Sequence, residues 1–123
     1  MIRLSEIAVG IGPFVIEPAV SRKIGKTALS EMTLAAHEWK TADWAKEKGL
    51  YANTFETIPE LDVAVADFTA KLASYNPEAL LEMKKVLWEG TQDWETLLLE
   101  RAAISGKLVL SDFTKKALSQ FKK

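Results

Sequence analysis

Two carboxylates interrupt the least polar stretch of the chain, LSEIAVGIGPFVIEP at residues 4–18. Glu6 breaks an apolar run. A Gly-Ile-Gly-Pro turn follows at residues 10–13, and Glu17 stands directly before Pro18. A carboxylate among apolar neighbours loses hydration, and lost hydration favours the protonated form. That is the condition in which a general acid or base works near neutral pH. If residues 2–9 form a strand, Ile2, Leu4, Glu6 and Ala8 share one face. A simpler reading ends the strand at Ser5 and leaves Glu6 in water, and periodicity alone favours it. Glu17 also has a simple reading, as an acid at a helix start, where the helix dipole favours the charged form.

The remaining candidates carry weaker signals. The turn at Gly10, Gly12 and Pro13 is not a dinucleotide fingerprint, because the third glycine is missing and proline occupies a position that needs a free backbone. It reads as a tight turn, although glycines also let a backbone approach a ligand closely. His37 is the only histidine. With no second histidine and no nucleophile signature beside it, it reads as a helix-end or surface residue, and no metal site is expected. Trp39, Trp44, Trp88 and Trp94 fall on helical faces and read as core or subunit interface, since no basic groove surrounds them. Lys115, Lys116, Lys122 and Lys123 read as a solvated face that could also hold a phosphate.

The elements that position these residues are mostly helices. Pro18 suits a first helical turn and Gly25 a stop. Thr27 can cap a short helix with Leu29, Met32 and Ala36 on one face, and Thr41 can cap another that Gly49 ends. Residues 50–55, LYANTF, break the helical period and predict a short strand or extended link. Thr57 and Glu60 have capping-box spacing, with Pro59 in the first turn. Leu61, Val65, Phe68 and Leu72 then share a face. Asn76 and Pro77 open a helix that Gly90 closes, Thr91 can cap the next, and Ser111 the last, in which Phe113, Ala117 and Phe121 share a face. IRLSEIAVG is the best strand candidate. One or two strands cannot make a stable sheet alone, and an unpaired apolar strand is an aggregation hazard. Either another chain supplies the sheet, or the polypeptide is the C-terminal part of something longer.

Bulk properties narrow the function classes. A chain of 123 residues fits one domain with a real core. Its 48% hydrophobic and 27% charged residues are ordinary globular composition. The formal net charge of −1 gives no basic excess for nucleic acid, and no Lys/Arg block suits an anionic membrane. Absence of cysteine removes thiolate chemistry and cysteine zinc sites and fits a reducing compartment. No run approaches a membrane span and the N-terminus has no apolar segment of signal-peptide length. A soluble cytoplasmic protein is expected.

The ordered motifs resemble the enoyl-CoA hydratase/isomerase family, the crotonases. LSEIAVGIGPFVIEPAVSRKIG is similar to the family's strand, Gly-x-x-Pro turn and following helix. ALSEMTLAAHEWKTADWAKEKGLY, SYNPEALLEMKK and LSDFTKKALSQF resemble later segments of the same family, in the same order, so the resemblance spans essentially the whole chain. Within the family, bacterial methylglutaconyl-CoA hydratase-like members look most similar. The resemblance implies a mainly α chain that forms the C-terminal part of a crotonase-like α/β spiral. One or two short strands precede a helical oligomerisation region, with residues 1–56 ending the spiral core and residues 57–123 forming trimers or dimers of trimers. It implies water addition across a 2-enoyl-CoA thioester, with coenzyme A as part of the substrate and no separate cofactor. Glu6 matches a catalytic carboxylate. Gly10, Pro13 and Glu17 lie along the acyl pocket, and Lys116 matches a lysine that reaches CoA phosphates, although Lys115 and Ala117 depart from the pattern around it. The backbone donors of the family's oxyanion hole, and a second catalytic glutamate, belong to segments upstream of these residues, so the isolated chain is expected to be inactive. Two alternatives remain: a non-catalytic, crotonase-derived assembly module, and another crotonase reaction such as enoyl-CoA isomerisation or thioester hydrolysis.

Overall fold

The computed structural model describes residues 1–122; the side chain of Lys122 and all of Lys123 lie outside the described residues. Among the described residues six α-helices carry the fold: α1 Glu17–Leu34, α2 Ala42–Glu47, α3 Ile58–Ser74, α4 Pro77–Leu87, α5 Trp94–Val109 and α6 Asp112–Ser119. Short 3-10 turns occupy Glu6–Val9 and Gln120–Lys122. The protein is mainly α, as its cap and stop residues require. Two compact units are present. One comprises residues 1–52 with 95–123, and the other residues 53–94.

Local chemistry explains most helix ends. The Thr41 hydroxyl accepts the Trp44 amide at 3.0 Å. Thr57 and Glu60 form a reciprocal capping box, with Pro59 in the first turn of α3. The Asn76 carboxamide accepts the Glu78 amide at 2.9 Å in front of Pro77, and Ser111 accepts the Thr114 amide at 3.2 Å. Thr91 behaves differently from the sequence expectation: its hydroxyl bonds back to the Trp88 carbonyl at 2.7 Å, at the end of α4. Gly25 interrupts α1 with φ 74° and ψ 166°, a backbone region that is essentially glycine-only. The expected stop is therefore real, but the chain resumes helical geometry at once.

The expected strands are absent among the described residues. Residues 2–9 make one antiparallel bridge, Ile2 to Lys40, and then coil into the 3-10 turn at Glu6–Val9. A strand needs a continuous partner edge to satisfy its backbone. Here the backbone closes on itself instead: the Ala8 amide reaches the Ser5 carbonyl at 3.1 Å, Gly10 reaches Ile7 at 3.1 Å, and Ile11 reaches Glu6 at 3.0 Å. Residues 50–55 likewise form no strand and run as irregular chain after α2.

The first unit holds the core. Leu4, Val20, Ile24, Ala28, Leu29 and Met32 form one buried cluster, with Ile2, Trp44 and Leu50 packed against it. Leu29, Met32 and Ala36 are all buried, as the expected helical face demands. Lys40 clasps this unit at the N-terminal bridge. Its side chain is buried and meets Glu31 of α1 at 2.6 Å and Glu38 at 3.0 Å. The Glu31 hydrogen bond, then that of Glu38, holds the Lys40 ammonium above the usual lysine value. In the second unit the expected α3 face is largely in solvent: Leu61, Val65 and Phe68 are exposed, and α3 and α4 contain no buried residue.

Candidate functional site

Glu6 heads the short 3-10 turn that follows the buried Leu4. One of its carboxylate oxygens, Oε2, is buried without a hydrogen-bond partner, alone in this respect among the described buried side-chain atoms. Buried polar atoms in folded proteins are nearly always paired, so an orphan of this kind demands an explanation. The turn ends at Gly10, whose φ of 86° reverses the chain. A β-carbon at Gly10 would stand 2.5 Å from the Thr114 hydroxyl and 2.6 Å from the Phe113 ring. The 3-10 turn thus packs directly on α6, and also contacts α1.

Beyond Gly10 the chain runs through buried Gly12 and Pro13 into α1. A β-carbon at Gly12 would stand 2.6 Å from the Phe14 ring. The Pro13 carbonyl accepts the Glu17 amide at 3.0 Å and so fixes the helix start. The Glu17 carboxylate is 17% exposed and pairs with Lys26, while its second oxygen lies 3.4 Å from Arg101 of α5. The Lys26 hydrogen bond, joined by a Ser21 hydrogen bond and the charge of Arg101, holds Glu17 below the usual carboxylate value despite partial burial. Lys26 follows Glu17 by nine residues. On an unbroken helix that is roughly 2.5 turns, which places two side chains on opposite faces. The break at Gly25 permits the pairing.

An open cleft of about 320 Å³ adjoins these groups. Ile7 from the Glu6 turn, Pro13, Phe14 and Leu29 supply apolar wall, and Glu17, Lys26 and Arg101 supply its charge. Of the sequence candidates, Pro13 and Glu17 line the cleft, and Glu6 and Gly10 lie on the segment that contributes Ile7. Lys116 does not line it; its residue is exposed on α6. A larger opening of about 640 Å³ in the second unit is lined by Phe55, Pro59, Val63 and Ala64 with Glu60 and Asp67. Both acids there are already engaged, Glu60 in the capping box and Asp67 with Lys71 at 2.7 Å. That opening therefore offers no free chemistry.

Sequence reasoning missed Lys26, Arg101 and Thr114. The nine-residue spacing of Lys26 hides its pairing, and Arg101 and Thr114 reach the site only through tertiary packing, for which no local signal exists. Trp39 is exposed and Trp44 is half-buried against the core, with Arg3 lying 4.3 Å from the Trp39 ring centre and Lys40 5.5 Å from that of Trp44. Trp88 and Trp94 meet edge to face at 5.8 Å within the second unit. His37 is exposed just past α1.

Chemically, the cleft offers one paired carboxylate, Glu17, among apolar walls; Glu6, half-buried with one unpartnered oxygen, does not line it but belongs to the adjoining turn. Among the described residues no group of His, Cys, Asp or Glu side chains is arranged to hold a metal ion, and no helix is long and apolar enough to cross a membrane. Neither the known protein-family models nor the curated proteins give a significant match to this chain.

Proposed function

We propose that this chain forms the C-terminal portion of an enoyl-CoA hydratase-type enzyme, with Glu6 as its proton-transfer group. The observation that carries the reading is the buried Glu6 oxygen with no partner. A buried acceptor is favoured by gaining a hydrogen-bond partner. A substrate water or a reacting hydroxyl would supply the missing partner. Water addition to a 2-enoyl thioester forms a C–O bond at C3 and a C–H bond at C2, and Glu6 would exchange a proton with the added water. Glu17 suits the complementary task. Its charge is held by Lys26 and Arg101, so it orders one end of the cleft and does not shuttle protons.

The thioester oxygen requires backbone donors to stabilise the enolate-like transition state. The resemblance assigns those to upstream polypeptide. Substrate is then an acyl-CoA, coenzyme A enters as part of it, and Lys116 is the candidate contact for its phosphates. The working form is a cytoplasmic homotrimer or dimer of trimers.

The test is hydration of crotonyl-CoA, followed by loss of enoyl absorbance, in a polypeptide extended upstream to include the donor segments. Glu6→Gln should lower kcat by about 10²–10⁴ with KM little changed, the range of a lost general acid or base. Full activity in Glu6→Gln, or dependence on Glu17 alone, would sink the assignment. A second reading, a non-catalytic assembly module, draws on the exposed apolar faces of α3 and α4. It requires self-association with no hydration in any extended form.

A further inference from the structure

The Glu6 turn is too short to hold its own orientation. A single 3-10 turn closed by a few backbone hydrogen bonds is marginal without packing. Leu4 anchors it on one side in the core of the first unit. On the other side Gly10, the residue that caps the turn, meets the first residues of α6, whose Thr114 is 0% exposed. The Ser111 hydroxyl donates to the Thr114 hydroxyl at 3.1 Å and accepts the Thr114 amide at 3.2 Å. The residue that caps α6 thereby also fixes the group that presses on Gly10.

We propose that Thr114, with Phe113 beside it, is a positioning residue for the Glu6 carboxylate, so that the first turn of α6 determines where Glu6 points. The absence of a side chain at Gly10 is what admits this wedge, since any β-carbon there would collide with both residues. A catalytic group displaced by about 1 Å can lose on the order of a hundredfold in rate. A helix late in the chain therefore sets geometry at a carboxylate near its start. The catalytic consequence rests on the hydratase reading; the mechanical link between α6 and the turn does not.

Amide hydrogen exchange on the 123-residue chain tests the link. The Gly10 and Ile11 amides close the turn on Ile7 and Glu6. Thr114→Val keeps shape and removes the hydroxyl, and should speed exchange of these two amides about fivefold, the scale of one lost buried hydrogen bond. The Ala28 and Leu29 amides in the α1 core should keep their rates. Thr114→Ser, which retains the hydroxyl, should stay close to the unaltered protein. Unchanged Gly10 and Ile11 rates, or a uniform rise across all amides, would overturn the proposal. Should Thr114→Val fail to fold, Phe113→Ala provides the same readout through the second contact. In the upstream-extended polypeptide, Thr114→Val should lower kcat for crotonyl-CoA about tenfold at constant KM, with Thr114→Ser restoring it. Faster exchange with unaltered kcat would refute the catalytic part. If the unaltered extended polypeptide hydrates nothing, the hydratase reading fails, and the exchange result still decides the link.

Discussion

Glu6 and Glu17 have the same side chain and opposite surroundings. Glu6 has a buried oxygen without a partner, and Glu17 has two cations and a serine hydroxyl within reach. Glu17 therefore carries a pH signature of its own. Its folded-state value is depressed, chiefly by the Lys26 hydrogen bond. Such a group contributes stability that is fully present above its ordinary value of 4.5 and is lost as pH falls through the lower folded-state value. Lys26 is 78% exposed, so screening keeps the whole contribution to about 1 kcal/mol or less. Urea unfolding of the protein and of Glu17→Gln should show a gap at pH 7 that closes on acidification below 4.5. A gap that widens in acid would contradict the assigned ion pairs. Glu6→Gln replaces an unpartnered oxygen with an amide and leaves these ion pairs intact. Under the proposed function, its effect is expected on turnover.

At the scale of elements, the break in α1 is the most consequential feature. Gly25 adopts φ 74° and ψ 166°, yet a β-carbon there would meet nothing within 4 Å. Substitution is therefore penalised by backbone strain alone. Gly25→Ala should destabilise the protein by about 1–3 kcal/mol, measured by urea denaturation. If the variant instead straightens α1, Lys26 rotates away from Glu17, and the acid-dependent gap described above disappears with it. The capping box of α3 gives a second, independent check. Thr57→Ala removes the acceptor of the Glu60 amide and should cost about 1 kcal/mol. Because α3 is exposed on most of its surface, little tertiary packing masks the loss, and the fall in helicity should be visible by circular dichroism.

The whole molecule buries its apolar residues unevenly. One unit has a clustered core around α1. In the other, α3 and α4 present Ile58, Leu61, Phe68, Leu81, Met83 and Val86 to solvent. Exposed apolar residues in such number on two helices suit an interaction surface. The chain is expected to self-associate, with a trimer as the favoured state under the proposed function. Sedimentation at high micromolar concentration checks this, and a clean monomer would remove the support that the exposed faces lend to both functional readings. Phe68→Glu, which places a charge on the 63%-exposed ring position of α3, should shift the distribution toward monomer without unfolding the protein.

Features decided within a few residues were legible in the amino-acid sequence. The caps at Thr41, Asn76 and Ser111 and the box at Thr57 and Glu60 involve partners no more than four positions away, and Gly25, Gly49 and Gly90 take positive φ where the sequence expects breaks. Side-chain capping and glycine's access to positive φ act at that range, so residue type and spacing suffice. The chemical types of the candidate site, two acids around a Gly-Pro turn, were equally visible. Their environments were not. Alternating Ile2 and Leu4 do turn inward, but whether Glu6 continues a strand depends on a neighbouring edge, and only the folded chain reveals a single bridge to Lys40 followed by a 3-10 turn. The pairing of Glu17 with Arg101 and the closure of Thr114 on Gly10 join residues far apart in the chain. Those contacts depend on how helices pack, and packing is a property of the assembled surfaces that no local pattern encodes.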